Sequence, residues 1–272
     1  MSTPPALAAL ADGVLAAHDD ARLMPLPSAV VLALTLDGAF AVADDVRRRR
    51  VARGERVRGW KIGFTNRAIW DRYGVHAPIW GPVWDTTLRL LDGTAATLPL
   101  AGLVQPRLEH EIVFGFARAP EPGMDEVTLA ACLDWVAHGV EVVHTHCEGW
   151  RFTAADTVAD GALHGRLLVG PRVPVAAWPR LGADLAATTM TLACDGREVD
   201  AGVGANVLDG PLAALRLWID AMGERTPTWR VEPGHVVTTG TLTDAWPLAA
   251  GQRWTTRPGD AHLAGLTLDV VP

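Results

Sequence analysis

Of the 24 lysines and arginines in this 272-residue chain, Lys61 is the only lysine; the other 23 are arginines. A chain that fills every other basic position with arginine marks this one for chemistry that a guanidinium does not do. Arginine stays protonated at any working pH, whereas a buried lysine can give up and take back a proton. Beside a bound dication the neutral amine would be the favoured form. A retained salt bridge is the bland alternative, and the count alone weighs the two about equally. The segment Gln105-Pro-Arg-Leu-Glu-His-Glu-Ile-Val-Phe114 carries the second constellation. Read as a strand, it puts Leu108, His110, Ile112 and Phe114 on one face and Glu109 and Glu111 on the other. Two carboxylates at that spacing repel unless water or a cation lies between them. They form half of a hard-metal site of the Mg²⁺ or Mn²⁺ kind. Taken alone, the pair reads more readily as an edge strand with a solvated charged face. Glu141 shifts the balance. It sits within Val140-Glu-Val-Val143, an apolar strand where a lone carboxylate is costly. An arginine partner would also satisfy it. Three glutamates on neighbouring strands would make a facial ligand set, with positions left for substrate oxygens and water.

Other patterns are weaker. His144, His146 and Cys147, with His164 as a further donor, offer a soft-metal reading without a recognised second half. His110-Glu111 is not the start of HExxH, because position 114 is Phe, and Gly202-Val-Gly-Ala-Asn-Val207 is not a dinucleotide fingerprint. No Gly-x-Ser-x-Gly elbow occurs. Thr238-Thr-Gly-Thr-Leu-Thr243 offers hydroxyls and backbone N–H groups to a carboxylate, although an ordinary Thr-rich strand end is the simpler reading.

These residues need a frame. Leu7, Leu10, Val14 and Leu15 recur at helical spacing, and a second helix is expected over 39–53 with Gly54 as its stop. Residues 60–63 read as a strand, followed by a short helix capped by Thr65 or Asn66 and running through Tyr73. Asp92-Gly93 and Asp195-Gly196 read as hairpin turns. Further strands are expected at 107–116, 140–143, 167–169, 189–194, 235–239 and 266–270. One amphipathic helix should hold Leu129, Leu133 and Val136 and end near His138-Gly139. Another should hold Leu212, Leu215, Trp218, Ile219 and Met222. The pattern is α+β, with residues 1–80 mainly helical and residues 81–272 forming the strand-rich catalytic part of one compact unit. The lack of strict βα alternation disfavours a doubly wound sheet or a TIM barrel.

Composition bounds the partners. Apolar residues make up 49% and charged residues 20%, as in globular proteins. A net charge of −7 speaks against nucleic acid. No apolar run is long enough to cross a membrane, and the first residues lack a signal peptide's pattern. Three cysteines without a CxxC pair suit a reducing cytoplasm.

Five blocks occur together and in order: Gly59-Trp-Lys-Ile-Gly-Phe-Thr65, Gln105-Pro-Arg-Leu-Glu-His-Glu111, Val140-Glu-Val-Val143, Asp156-Thr-Val-Ala-Asp160 and Thr239-Gly-Thr-Leu-Thr243. In this combination the chain resembles the 2-oxopent-4-enoate hydratase and 4-oxalocrotonate decarboxylase family of the fumarylacetoacetate hydrolase superfamily. The resemblance implies a mixed β-roll core with an N-terminal helical region. It implies Mg²⁺ or Mn²⁺ on Glu109, Glu111 and Glu141, an active-site lysine at Lys61, an active-site acid at Asp85, and Thr241 near the substrate carboxylate. It implies a hydratase acting on an unsaturated 2-oxo acid, with decarboxylation or C–C hydrolysis as alternative uses of the scaffold. A silent partner subunit is the rival from another class. It also implies a homo-oligomer, with another pathway enzyme as a further partner. Two positions depart from the family. His144 stands where an Asp is usual, and Ala162-Leu-His-Gly165 stands where Ala-Ser-Ser-Gly is common, which places His164 among the expected substrate-binding residues.

Overall fold

The structure, a computed structural model, describes residues 4–67, 70–73 and 77–272. Three helices lead: α1 (Pro5–Asp20), α2 (Pro27–Val30) and α3 (Leu36–Ala52). α1 turns Leu10, Ala11, Val14 and Ala17 inward, a 3.6-residue stripe. α3 starts at Leu36 rather than 39 because the Thr35 hydroxyl accepts the Gly38 N–H and caps it. The run Arg47–Arg50 is neutralised locally: Arg47 pairs with Asp44, Arg49 with Asp45 and Arg50 with Glu55.

The strands then build two sheets. β1 (Val57–Gly63) and β2 (Ile79–Trp84) flank the short α4 (Trp70–Tyr73), and β3 (Leu88–Leu90), β4 (Ala95–Pro99) and β5 (Arg107–Phe116) follow. After α5 (Glu126–Ala130) come β6 (Leu133–Val143), α6 (Ala154–Ala159), β7 (His164–Val169), β8 (Val173–Pro174) and α7 (Leu181–Ala187). β9 (Thr189–Cys194), β10 (Arg197–Val203), α8 (Pro211–Arg225), β11 (Val236–Thr241), β12 (Trp246–Pro247), β13 (Arg253–Pro258) and β14 (Thr267–Val271) complete the chain. The larger sheet is a curled, mixed one in the order β2-β1-β11-β5-β6-β7-β3, with β12 on β5 and β8 on β6; the smaller runs β10-β9-β13-β14-β4. A core of Leu98, Leu108, Val140, Val142, Leu192 and Trp254 joins the two sheets. A larger one holds Leu10, Val14 and Phe40 together with Phe114, Val136 and Trp218. The expected division at 80/81 therefore falls inside β2, and the helical region shares its core with the strands. Among the described residues no helix is long and apolar enough to cross a membrane.

Two expectations fail for tertiary reasons. The helix through Leu129, Leu133 and Val136 stops at Ala130, and Leu133 opens β6. Its valine-rich course pairs with β5 from Phe116↔Leu133 to Arg107↔Val143, and that ladder overrides a local helical spacing. Asp92-Gly93 is no hairpin turn. β3 pairs with β7 in one sheet and β4 with β14 in the other, so the turn carries the chain between sheets. Asp195-Gly196, both left-handed at φ 50° and 79°, does close the β9–β10 hairpin. The expected helix after Thr65 falls partly on residues 68–69, outside the described residues; α4 itself spans Trp70–Tyr73.

Candidate active site

Four neighbouring strands, β1, β11, β5 and β6, assemble the site. Antiparallel pairing sets Glu109 directly opposite Glu141 and Glu111 opposite Gly139. Gly139 is needed there, because a Cβ would come within 2.6 Å of Val113 Cγ2. One carboxylate oxygen from each of Glu109, Glu111 and Glu141 lies within 4.8 Å of the others. Glu111 and Glu141 are wholly buried, whereas Glu109 is partly exposed and lines the cavity described below. Thr238, paired with Lys61 across β1–β11, donates its hydroxyl to Glu111 Oε2, and the Gly240 N–H donates to the same oxygen at 2.5 Å. Gly240 adopts φ +105°, and a Cβ there would overlap the Thr65 hydroxyl. The tight β11 end thus aims its N–H at a carboxylate.

Lys61 is 4% exposed and its Nζ lies 3.4 Å from Glu141 Oε2. Burial alone would lower its pKa, but the carboxylates of Glu141, Glu109 and Glu111 outweigh that and raise it. The metal-free chain therefore holds Lys61 as an ammonium, opposite to the neutral form expected beside a dication. Burial and mutual repulsion push the acids toward their neutral forms. Glu109 and Glu141 rise to about 7, with Lys61 opposing the shift, and Glu111 rises well above the usual carboxylate range.

Lys61, Glu109 and Thr241 open onto a cavity of about 240 Å³. Phe64, Ile79, Val143, Trp150, Phe152 and Leu163 supply most of its apolar lining. Two expected residues are not brought there. Asp85 is exposed just after β2, where its carboxylate accepts the N–H of Arg56, the residue before β1, at 3.1 Å. His164 is buried and is not part of the cavity lining; its Nδ1 is 2.8 Å from Glu141 Oε1. The soft-metal residues form a separate cluster. His18, which sequence reasoning did not single out, stacks on His146 with centroids 4.2 Å apart. Both rings bond Asp160 Oδ1, at 2.9 and 2.6 Å, and the Val104 N–H donates to His144 Nδ1 at 3.3 Å. Cys147 is buried and its thiol is pushed up to about 12, chiefly by burial, so it is a poor thiolate ligand. Asp160 bonds two of these rings, and His18, His144 and His146 each offer a ring nitrogen within 4.8 Å of the others.

The chain is 33% identical over 222 residues to a 2-hydroxyhexa-2,4-dienoate hydratase of Comamonas testosteroni, covering 81% of each chain. It is 32% identical over 239 residues to a 2-keto-4-pentenoate hydratase of Paraburkholderia xenovorans, covering 86% of this chain and 82% of the relative. The chain belongs to the 2-oxopent-4-enoate hydratase and 4-oxalocrotonate decarboxylase family. Among solved structures, the 4-oxalocrotonate decarboxylase from Pseudomonas putida G7, complexed with magnesium and adipate, superposes with a TM-score of 0.88 at 26% identity over 97% of each chain. A fumarylpyruvate hydrolase from Pseudomonas aeruginosa, at 14% identity and a TM-score of 0.61, shares the fold. No family model matches the chain.

The three glutamates of this family member suit a divalent metal. Glu111 Oε1 and Glu141 Oε2 are buried carboxylate oxygens without a hydrogen-bond donor, and the donor set is all oxygen. A dication there must displace whatever protons the raised pKa values hold. Below about pH 7 Glu109 and Glu141 carry protons in the metal-free chain; above it they are ionised. Metal affinity should therefore fall about tenfold per pH unit below 7 for each proton displaced. The rise in Tm on adding Mn²⁺ should be large near about pH 8 and small near about pH 5.5. Comparing Tm with and without metal at each pH cancels the buried histidines. An equal rise at both pH values would contradict the site.

Proposed function

We propose that this chain is a Mg²⁺- or Mn²⁺-dependent hydratase that adds water to an unsaturated 2-oxo acid derived from a 2-hydroxydienoate, and that it prefers a substrate with an uncharged tail. The cavity carries this reading: Glu109, Lys61 and Thr241 line it together with the aliphatic and aromatic side chains of Phe64, Ile79, Val143, Trp150, Phe152 and Leu163. When bound, the dication on Glu109, Glu111 and Glu141 supplies a Lewis acid for the C1 carboxylate and C2 oxygen. Lys61 Nζ, a charged donor at the buried end, stabilises enolate charge and passes a proton to the carbon skeleton as the C2 oxygen becomes a ketone. Lys61 regains its proton from the C2 hydroxyl, and water then adds across the conjugated double bond, its hydroxyl to one carbon and its proton to the other. Thr241 presents a hydroxyl to the substrate carboxylate. Phe64, Ile79 and Leu163 hold the tail and exclude bulk water from it.

The test is hydration of a series of 2-hydroxy-2,4-dienoates, followed by loss of dienol absorbance with Mg²⁺ present. kcat/KM should rise from the five-carbon acid to homologues with one or two added carbons, by about tenfold or more per well-buried methylene. An unsubstituted five-carbon acid outperforming every homologue would contradict the tail subsite. A spontaneous rate throughout would favour a silent subunit.

One observation favours decarboxylation as the second reading. Arg107 brings a cation to the lining, its guanidinium 4.1 Å from the Trp150 ring, and a cation there suits a second carboxylate. A 4-oxalocrotonate decarboxylase of a Pseudomonas strain is 30% identical over 92% of this chain. Carbon dioxide release from 4-oxalocrotonate, faster than hydration of any dienoate, would decide for it. A homo-oligomer, association with another pathway enzyme and a cytoplasmic location belong to the same reading by family likeness. The free thiols of Cys132, Cys147 and Cys194 support the reducing compartment.

A further inference from the structure

Glu141 is held at both oxygens by different means. His164 Nδ1 lies 2.8 Å from Oε1, while Oε2, fully buried, faces Lys61 without a hydrogen-bond donor. The far side of the imidazole is also fixed. His164 Nε2 lies 2.8 Å from the Thr87 hydroxyl, and that hydroxyl accepts the Trp84 N–H at 3.0 Å. The same hydroxyl lies 3.2 Å from the Trp84 carbonyl oxygen, to which it also donates, so the tautomer is fixed from the other side, where the Glu141 carboxylate only accepts. That leaves the imidazole proton on Nδ1, where it donates to Glu141 Oε1.

The backbone that delivers His164 is unusual. Gly161, Ala162 and Leu163 are all left-handed, at φ 67°, 54° and 64°. Two of them are not glycine, and L side chains are strained in this region. The turn is locked from outside, because a Cβ at Gly81 would meet Gly161 O at 2.5 Å. It puts Ala162 and Leu163 onto the cavity wall and sends His164 to the opposite side of Glu141.

We propose that His164, braced on its far side by Thr87, is a positioning residue that occupies Glu141 Oε1 and so leaves Oε2 as the single oxygen presented to the divalent metal and Lys61. This rests on Glu141 being a metal ligand, as in the reading above. A carboxylate free to rotate would offer either oxygen, or both, to the ion; His164 removes that freedom. Hydrogen-bond partners of metal ligands typically change affinity 10–100-fold when removed.

The experiment is Mn²⁺ titration of the full chain by calorimetry and electron paramagnetic resonance, which needs no substrate. His164→Leu should weaken Mn²⁺ binding by about 10–100-fold. His164→Asn, whose amide can donate from near the Nδ1 position, should recover most of the loss. Thr87→Val should weaken binding less, and the double variant Thr87→Val/His164→Leu should bind no worse than His164→Leu alone, because Thr87 acts through the imidazole. Nitrogen-15 spectra of the metal-free chain should show His164 as the Nδ1–H tautomer. Wild-type affinity in His164→Leu, or an Asn variant as weak as Leu, would overturn the proposal. So would an Nε2–H tautomer, which stands as a test even if His164→Leu fails to fold. If the wild type binds Mn²⁺ but leaves dienoates unchanged, the hydratase reading fails and the positioning role survives.

Discussion

Lys61→Arg should lower kcat by about 10²–10⁴-fold while Tm and Mn²⁺ affinity stay near wild type. The substitution keeps the charge that the three carboxylates demand and removes the ability to hand over a proton. An ammonium beside Glu141 at 3.4 Å could in principle act only as a fixed positive charge. A guanidinium would then restore most of the rate, and near-wild-type kcat in the variant would reduce Lys61 to that role. The larger head group is the control problem, because the site is closed: Ile62 and Trp60 beside it are buried, and Gly63 already stands close to Nζ. Lys61→Met answers it, being slimmer and uncharged. Both variants slow with folding intact identifies proton transfer, whereas a slow Met variant beside a fast Arg variant identifies charge alone.

Replacing Glu141 should have the largest effect on metal. Glu141→Ala and Glu111→Ala should each weaken Mn²⁺ binding by at least about 100-fold, beyond the effect of losing a ligand's hydrogen-bond partner. Glu109→Ala should follow, with the smallest change in Tm because Glu109 alone among the three is partly exposed. Glu141→Gln separates ligand loss from packing loss. It keeps the shape and removes one of three repelling carboxylates, so the metal-free Tm should hold within a few degrees while binding falls. Chelation should abolish turnover of the wild type and Mg²⁺ should restore it. Unchanged binding in Glu109→Ala and Glu141→Ala would remove the assignment of the metal to this cluster.

Much of this was legible where chemistry and local pattern agree. β5 was read at its full length, 107–116, because its alternation separates apolar residues from Glu109 and Glu111. α8 was legible from Leu212, Leu215, Trp218, Ile219 and Met222, an inward stripe at helical spacing. The β6 misreading came from Leu129, Leu133 and Val136, whose spacing fits a helix until the ladder to β5 supplies a competing partner. His164 was placed on substrate because its real neighbours, Thr87 and Glu141, are remote in sequence, and no local spacing announces them. Asp85 rested on alignment alone; its exposure follows from its place just beyond β2. His18 joined the histidine cluster through Asp160, a contact between a helix near the start of the chain and the loop after α6 that periodicity does not encode.

The order of strands also dictates an order of assembly. Glu109 and Glu141 meet through neighbouring strands, β5 and β6, joined by the connection over residues 117–132 that carries α5. Lys61 reaches them only through β11, which sits between β1 and β5 and lies near the other end of the chain. Closing the longer loop costs more entropy and comes later. During synthesis the lysine therefore leaves the ribosome first and is seated last. β11 then closes the site from both sides at once, because it carries the Thr238 and Gly240 donors that hold Glu111 as well as the pairing that seats Lys61.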